Sequence, residues 1–323
     1  MNHIANRECL LVTVVVITYN SAKYILDTLE SIKGQTYENL ELVISDDCST
    51  DNCVEICFDW IEENKSRFVR TELITVKKNT GIAANGNRGY KAAKGEWVKG
   101  IAGDDALLPN CIEDNIKYIN INQDARVLFS YTKMYLNTFD ECNFIRLVPG
   151  VFPGNIINET ITATEQYNLL LLSDRITFSP SSFIHRHTHM LLGGFDEKMK
   201  MQEDYPMWLC FTKAGYKLYF MEKQTVKYRQ HAAAVNNMIT DYLIKPNYFK
   251  TEKFRRFSIY PNLPWDIRWN ERFRWFGSQV FRYDGLNKNR KANKMLLALL
   301  TSWLNPFKYY IYFKKRFVKN PNN

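Results

Sequence analysis

Two neighbouring carboxylates, Asp104 and Asp105, follow an apolar run in Glu96-Trp-Val-Lys-Gly-Ile-Ala-Gly-Asp-Asp-Ala-Leu-Leu-Pro109. Paired acids at the end of a buried strand suit a hard divalent cation, and Mg²⁺ is commonly held by one or two carboxylates together with substrate phosphates. A second pair, Asp46 and Asp47, closes the run Leu40-Glu-Leu-Val-Ile-Ser-Asp-Asp. An acid at that place can accept hydrogen bonds from a base or a ribose. Each pair taken alone is equally a helix cap, because Asp is a favoured capping residue and Ser49, Thr50 and Asp51 follow the second pair. Two acid-bearing loops that meet on one rim are harder to explain as caps.

Whether they meet depends on the elements around them. Leu10 to Ile17 is almost continuously apolar and β-branched, the pattern of a strand buried on both faces. Thr18-Tyr-Asn-Ser21 follows, and Ser21 is placed to cap a helix running to Lys33. Further strands are expected over Leu40–Ile44, Glu72–Val76, Trp97–Ala102 and Val127–Tyr131, with helices ending at Asn64 and spanning Gly81–Ala93 and Pro109–Asn122. Strands alternating with helices imply right-handed βαβ units, an α/β fold and a mostly parallel sheet sandwiched by helices. Such sheets bind ligands beyond the carboxyl ends of their strands. The loops after Ile17, Ile44 and Ala102 then converge on one rim.

Beyond these units the pattern weakens. Asp140 to Leu172 reads as a loop with one helix over Thr164–Leu172. Phe178–Ile184, Lys217–Phe220 and Thr225–Tyr228 read as short strands, and Asp204–Ala214 as a helix. Trp208 follows Asp204 by one helical turn on the same face, where it either stacks on a sugar or fills the core. His185, His187 and His189 alternate, so a strand would gather them on one face. They lack the defined four-ligand set of a zinc site.

Charge divides the chain. From Lys245 to Asn323 there are 18 Lys and Arg against 4 Asp and Glu, a net of +14, whereas the whole chain carries +9 and the first 244 residues therefore carry −5. Residues 1–244 read as the main domain and 245–323 as a basic, aromatic, helical appendage. The front part does not resemble a nucleic-acid binder, and no nucleic-acid partner is expected. The appendage is either a helical hairpin packed on the domain or an amphipathic surface lying on an anionic membrane. The seven cysteines include no Cys-x-x-Cys pair and read as reduced thiols. Met1 to Glu8 is polar, so no secretory signal is expected, and no apolar run is long enough to span a bilayer. These features point to a cytoplasmic protein at the inner face of the cell membrane.

The motif order resembles the family 2 glycosyltransferases of the GT-A (Rossmann-like) fold. It runs Val16-Ile-Thr-Tyr-Asn20, Gln35-Thr-Tyr37, Ser45-Asp-Asp-Cys-Ser-Thr-Asp51, Asn79-Thr-Gly81, Ala92-Ala-Lys-Gly-Glu96 and Gly103-Asp-Asp-Ala-Leu-Leu-Pro109, then Gly193-Gly-Phe-Asp-Glu197, Gln202-Glu-Asp204 and Tyr228-Arg-Gln-His231. The resemblance covers roughly Val12 to Ala233. It implies a nucleotide-sugar donor, most simply a UDP-sugar, a glycan or lipid-linked acceptor of bacterial surface polysaccharide (O-antigen or capsule) assembly, and Mn²⁺ or Mg²⁺ as cofactor. Thr18, Tyr19 and Asn20 would line the nucleotide pocket, with Asn87 beside it. Asp47 would meet the uracil ring. Asp104 would touch the ribose or stand behind the metal's ligands, and Asp105 would hold the metal against the diphosphate. Asp204 would be the catalytic base with Glu203 its neighbour, and Arg229 and His231 would approach the diphosphate or the metal. The family's reaction is inverting. The chain departs from the family's usual pattern in having Ile17 before Thr18-Tyr-Asn20, Asn85-Gly-Asn87 in place of Ala-Arg-Asn, and contiguous acids after Gly103 in place of acid-x-acid. A nucleotidyltransferase or a non-catalytic nucleotide-sugar-binding membrane scaffold are the alternatives. The former usually carries a Gly-rich phosphate loop after its first strand, which Thr18-Tyr-Asn-Ser21 is not.

Overall fold

A computed structural model describes residues 9–199, 203–232, 242–244, 246–283 and 285–318. The chain divides into two compact units, Met1–Ala234 and Val235–Asn323. The expected boundary at 244/245 lies ten residues further on.

The first unit is built on a nine-stranded sheet. The β-branched run forms β1 (Val12–Thr18), buried along nearly its whole length. β2 (Leu40–Asp46) and β4 (Trp97–Ala102) flank it in parallel, and β3 (Arg70–Ile74) pairs parallel with β2. Helices α1 (Ile25–Lys33), α2 (Cys53–Asn64), α3 (Ile82–Ala92) and α4 (Cys111–Ile121) alternate with these strands along the chain. α1 buries Ile25, Thr28, Leu29 and Ile32, a stripe at helical spacing. Its start differs from expectation: the Ser21 carbonyl accepts the N–H groups of Tyr24 and Ile25, and the Ser21 hydroxyl turns back to the Tyr19 carbonyl.

The parallel pattern then gives way to a mixed one. β8 (Phe183–His185) lies antiparallel between β4 and β6 (Val127–Leu136), and β9 (Leu218–Gln230) runs parallel to β6. β5 (Ala106–Leu107) pairs antiparallel with β9, and β7 (Phe144–Val148) antiparallel with β6. β9 is one long strand where two short ones are expected. Ser130 pairs with Met221 and Tyr131 with Gln224, so the polar residues Glu222 and Lys223 bulge from a strand that continues. β7 lies inside the expected loop, and Phe144, Ile145 and Arg146 are exposed, which hides the strand's alternation. α5 (Ala163–Leu172) starts at a capping box of Thr162 and Glu165.

The alternating histidines do not share a strand face. His185 ends β8, and His187 and His189 lie on α6 (Arg186–Leu191). His189 is fully buried between Tyr90 and Phe195, with ring centroids 4.5 and 4.7 Å away, and burial lowers its pKa to about 4. Trp208, on α7 (Asp204–Lys213), is a core side chain: its ring meets Phe129 edge-on at 4.8 Å and its Nε1 donates to Ser179 Oγ at 3.2 Å.

At the amino edge of the sheet sits a buried carboxylate, Glu41. It accepts from the Thr13 hydroxyl, from the Arg70 guanidinium and from the Lys94 N–H at 2.7 Å. Burial alone would raise its pKa, and these donors outweigh that and lower it.

The second unit is helical, as the sequence implies. It contains α8 (Pro246–Lys250), α9 (Glu252–Phe254), α10 (Trp265–Gln279), α11 (Lys291–Ala298) and α12 (Pro306–Val318). α10 and α12 pair antiparallel: Trp269 stacks on Phe307 at 5.9 Å, Trp265 meets Tyr310 at 5.2 Å, and Lys314 Nζ reaches Asp266 Oδ2 at 2.7 Å. Gly277 lets α10 approach Leu300, since a Cβ there would sit 2.5 Å from the Leu300 carbonyl oxygen. No helix among the described residues is long and apolar enough to cross a membrane.

Candidate active site

Strand register brings the polar loops together. Thr18 pairs with Asp46 and Ile17 with Ala102, so β1, β2 and β4 end at one level. The loops are stitched to each other: the Asp47 N–H donates to the Thr18 carbonyl at 3.0 Å and the Gly103 N–H to the Ile17 carbonyl at 2.9 Å. Gly103 lies where a Cβ would come within 2.9 Å of Thr18 Oγ1, so only glycine lets the two loops approach this closely. Asn20, at positive φ, accepts the Thr50 N–H at 2.8 Å through its Oδ1 and donates its own N–H to Ser49 Oγ at 2.8 Å. Thr18 is buried with its hydroxyl 3.2 Å from Cys53 Sγ, while Tyr19 stands exposed on the rim.

The acids on this rim differ in what fills them. Asp46 is held by the Ser49 N–H and hydroxyl. Asp47 accepts the N–H groups of Thr80 and Gly81, the Thr80 hydroxyl at 2.6 Å and Arg88 at 2.7 Å. Burial would raise its pKa, but the Thr80 hydroxyl, Arg88 and these N–H groups hold it below the ordinary carboxylate value. Asp105 is buried, and its Oδ1 accepts the Arg229 N–H at 2.9 Å. Burial first, and the neighbouring Asp104 second, push its pKa well above the ordinary value. Asp104 is different: its side chain keeps 27% of its surface accessible, and its Oδ2 lies 3.0 Å from His231 Nε2.

β9 delivers His231. Because β9 pairs with β5, Arg229 and His231 arrive beside the loop after β4. The Arg229 guanidinium is spent inside the protein: it donates to the Asp104 carbonyl at 2.8 Å, the Asn137 carbonyl at 2.7 Å and Asp27 Oδ2 at 2.6 Å. Its plane lies between the rings of Phe139 and Tyr24, 3.9 and 4.6 Å away, and Tyr24 also packs on His231 at 4.6 Å. Asn87 is spent as well, on the Phe195 N–H at 2.8 Å, the Phe195 carbonyl at 2.9 Å and Glu197 at 2.9 Å.

Glu203 and Asp204 lie at the amino end of α7. Asp204 Oδ1 accepts the Tyr205 N–H at 2.7 Å, so the helix start, rather than a contact with the other acids, positions it. Burial, then Asp204, raises the Glu203 pKa to about 7. Sequence reasoning does not single out Tyr24, Asp27 or Phe139, because their roles arise only when distant loops meet. Arg88 carries one signal, its place two residues after Gly86, where the family's pattern has Arg.

The chemistry of the donor set fits a cation delivered with a diphosphate. Among the described residues no group of three or more His, Cys, Asp or Glu is arranged to hold a metal ion. One accessible carboxylate beside one imidazole matches an ion whose remaining ligands are phosphate oxygens and water.

Comparison with known proteins decides the family. The profile of glycosyl transferase family 2 matches residues 13–174. The chain belongs to that family. This glycosyltransferase is 28% identical over 244 residues to the UDP-Glc:alpha-D-GlcNAc-diphosphoundecaprenol beta-1,3-glucosyltransferase of Escherichia coli, covering 75% of this chain and 86% of that protein. Its fold is similar to S. aureus TarS 1-349, solved in complex with UDP-GlcNAc, with TM-score 0.54, 21% identity and coverage of 94% and 87% of the two chains. It is also similar to a mannosyltransferase of Pyrobaculum calidifontis, solved with GDP-Man and Mn²⁺, with TM-score 0.52, 17% identity and coverage of 93% and 73%. The family 2 enzyme is thus of GT-A fold, and the nucleotidyltransferase alternative falls.

Proposed function

We propose that this glycosyltransferase moves a sugar from a UDP-sugar, with inversion, to a lipid-linked glycan acceptor of surface polysaccharide assembly at the inner face of the cell membrane. The observation that carries the reading is the Asp104–His231 contact of 3.0 Å on the rim shared by the β1, β2 and β4 loops. The UDP-sugar donor draws support from the E. coli relative's name and from the TarS complex with UDP-GlcNAc, and the lipid-linked acceptor from that same relative.

Within the pair we assign the cation to Asp104 with His231, and to Asp105 the task of fixing β9 to the loop. Asp105 is buried against a backbone N–H, whereas Asp104 keeps accessible oxygens. A bound Mn²⁺ or Mg²⁺ supplies Lewis-acid stabilisation for the charge that builds on the leaving diphosphate. Thr18 and Tyr19 line the nucleotide pocket, and Asn20 ties its two loops. Asp47, Asn87 and Arg229 hold the pocket's walls, since their polar groups are spent within the chain. Asp204 takes the proton of the acceptor hydroxyl as it attacks an anomeric carbon of oxocarbenium character. Glu203 keeps its proton up to about pH 7 and adds no second charge beside it.

The test is transfer and UDP binding in Asp204→Asn. Transfer is expected to vanish while UDP binding persists. Unchanged transfer would remove Asp204 from the chemistry.

A further inference from the structure

The second unit displays an aromatic stripe that α12 packs on at one edge, through Phe307 and Tyr310, and leaves about half exposed. On α10, Trp265, Trp269 and Phe276 recur at i, i+4 and i+11 and are 54%, 47% and 75% exposed. That spacing puts them on one helical face. The two flanks of the helix are packed: Trp275 is buried against Tyr248 on one side, and Gly277 lies against Leu300 on the other. The stripe widens onto α12, whose Tyr309, Tyr310, Tyr312 and Phe313 are also exposed.

Charge indicates what covers it. Arg272 lies within the stripe, its guanidinium 5.2 Å from the Trp269 ring, so an apolar stem runs along the aromatics and ends in a cation. The acids on α10 are already neutralised: Asp266 by Lys314 at 2.7 Å and Glu271 by Arg274 at 3.0 Å. The surrounding segment carries the net +14 of residues 245–323. Two copies of so basic a face repel each other, and interface cores are depleted of charge, so self-association is disfavoured. Indole and phenol rings flanked by cations match the headgroup layer of an anionic bilayer, with rings at the acyl boundary and cations on the phosphates.

We infer that the α10–α12 face docks this enzyme flat on an anionic lipid surface through Trp265, Trp269 and Phe276, with Arg272 on the lipid phosphates. The inference deepens the proposed inner-membrane location and rests on it for its biological setting. Its test requires no turnover. Full-length protein is floated with phosphatidylcholine vesicles, with and without about 30% phosphatidylglycerol, at low salt and at about 0.5 M salt. Co-flotation is expected only with the anionic vesicles and is expected to be released by salt. Trp265→Ser/Phe276→Ser is expected to lower the bound fraction at least about tenfold, and Arg272→Gln to weaken the anionic preference while the aromatics remain. UDP-glucose hydrolysis without vesicles is expected to be unchanged in both variants. Equal flotation of wild type and double variant would overturn the docking face, as would equal binding to neutral and anionic vesicles. A stripe whose removal only dissolves a dimer in light scattering would overturn it too. Absent hydrolysis in the wild type counts against the enzymatic reading alone.

Discussion

The two edges of the sheet carry the same residue type to opposite ends. At the amino edge Glu41 is fully buried and surrounded by Thr13, Arg70 and the Lys94 N–H. At the carboxyl edge Asp104 lies partly open, and the described contact of its carboxylate is with His231. A buried carboxylate whose acceptors are filled by its own chain is a structural knot, because stripping a partner leaves charge uncompensated. A carboxylate left with accessible lone pairs is a binding group. The carboxyl edge itself contains both kinds, since Asp47 is filled by donors of its own chain and Asp105 is buried, whereas Asp104 stays partly open. Function therefore follows from what the chain withholds from a side chain as much as from what it supplies.

The contrast is sharpest in two substitutions. Asp104→Ala is expected to lower kcat for sugar transfer about 10²–10³-fold, the scale seen when one electrostatic stabiliser of a transition state is removed. Its thermal midpoint is expected to stay within about 2 °C of wild type, because the group is partly exposed. Glu41→Ala is expected to reverse the pattern, with about 3 kcal/mol lost in denaturant melts and an unchanged donor KM in the protein that remains folded. If both variants lost stability equally and activity equally, the distinction between the edges would collapse.

Glu203 adds a pH-dependent version of the same argument. Its folded pKa is raised to about 7 from 4.5, so between these values the folded chain holds a proton that the unfolded chain has released. Its contribution to stability is present below about 4.5 and is lost as pH rises to about 7, up to about 3 kcal/mol. Glu203→Gln is expected to abolish that slope, measured as the change in urea midpoint between pH 5 and pH 8. A variant with the wild-type slope would place the proton elsewhere. The smallest effect is expected at Arg88→Met, which takes one cation from Asp47 but leaves the Thr80 and Gly81 donors. Stability is expected to fall by about 1–2 kcal/mol, and donor KM to rise only a few-fold.

Much of the frame was readable in the sequence. β1, β2 and β4 are continuous apolar runs, and alternation with helices sufficed to place their loops on one rim. The later strands were not. β7 exposes the side chains that would have given it a face, and the bulge at Glu222 and Lys223 reads as a turn until β6 is beside it. The histidine alternation gathers no shared face because a helix begins at Arg186. At the site, the acid pair was legible as a pair. Which member stays accessible was not, because that is decided by the Arg229 N–H, 124 positions away from Asp105. Tyr24 and Asp27 escape notice for the same reason: nothing local marks them until β9 brings Arg229 between them.

The central claim is that Asp104, with His231, holds the cation that meets the diphosphate. Calorimetric UDP binding with and without Mn²⁺, in wild type, Asp104→Asn and Asp105→Asn, tests it most directly. Mn²⁺ is expected to tighten UDP binding in wild type and in Asp105→Asn, and to have no effect in Asp104→Asn. Tightening that survives in Asp104→Asn and disappears in Asp105→Asn would contradict the assignment.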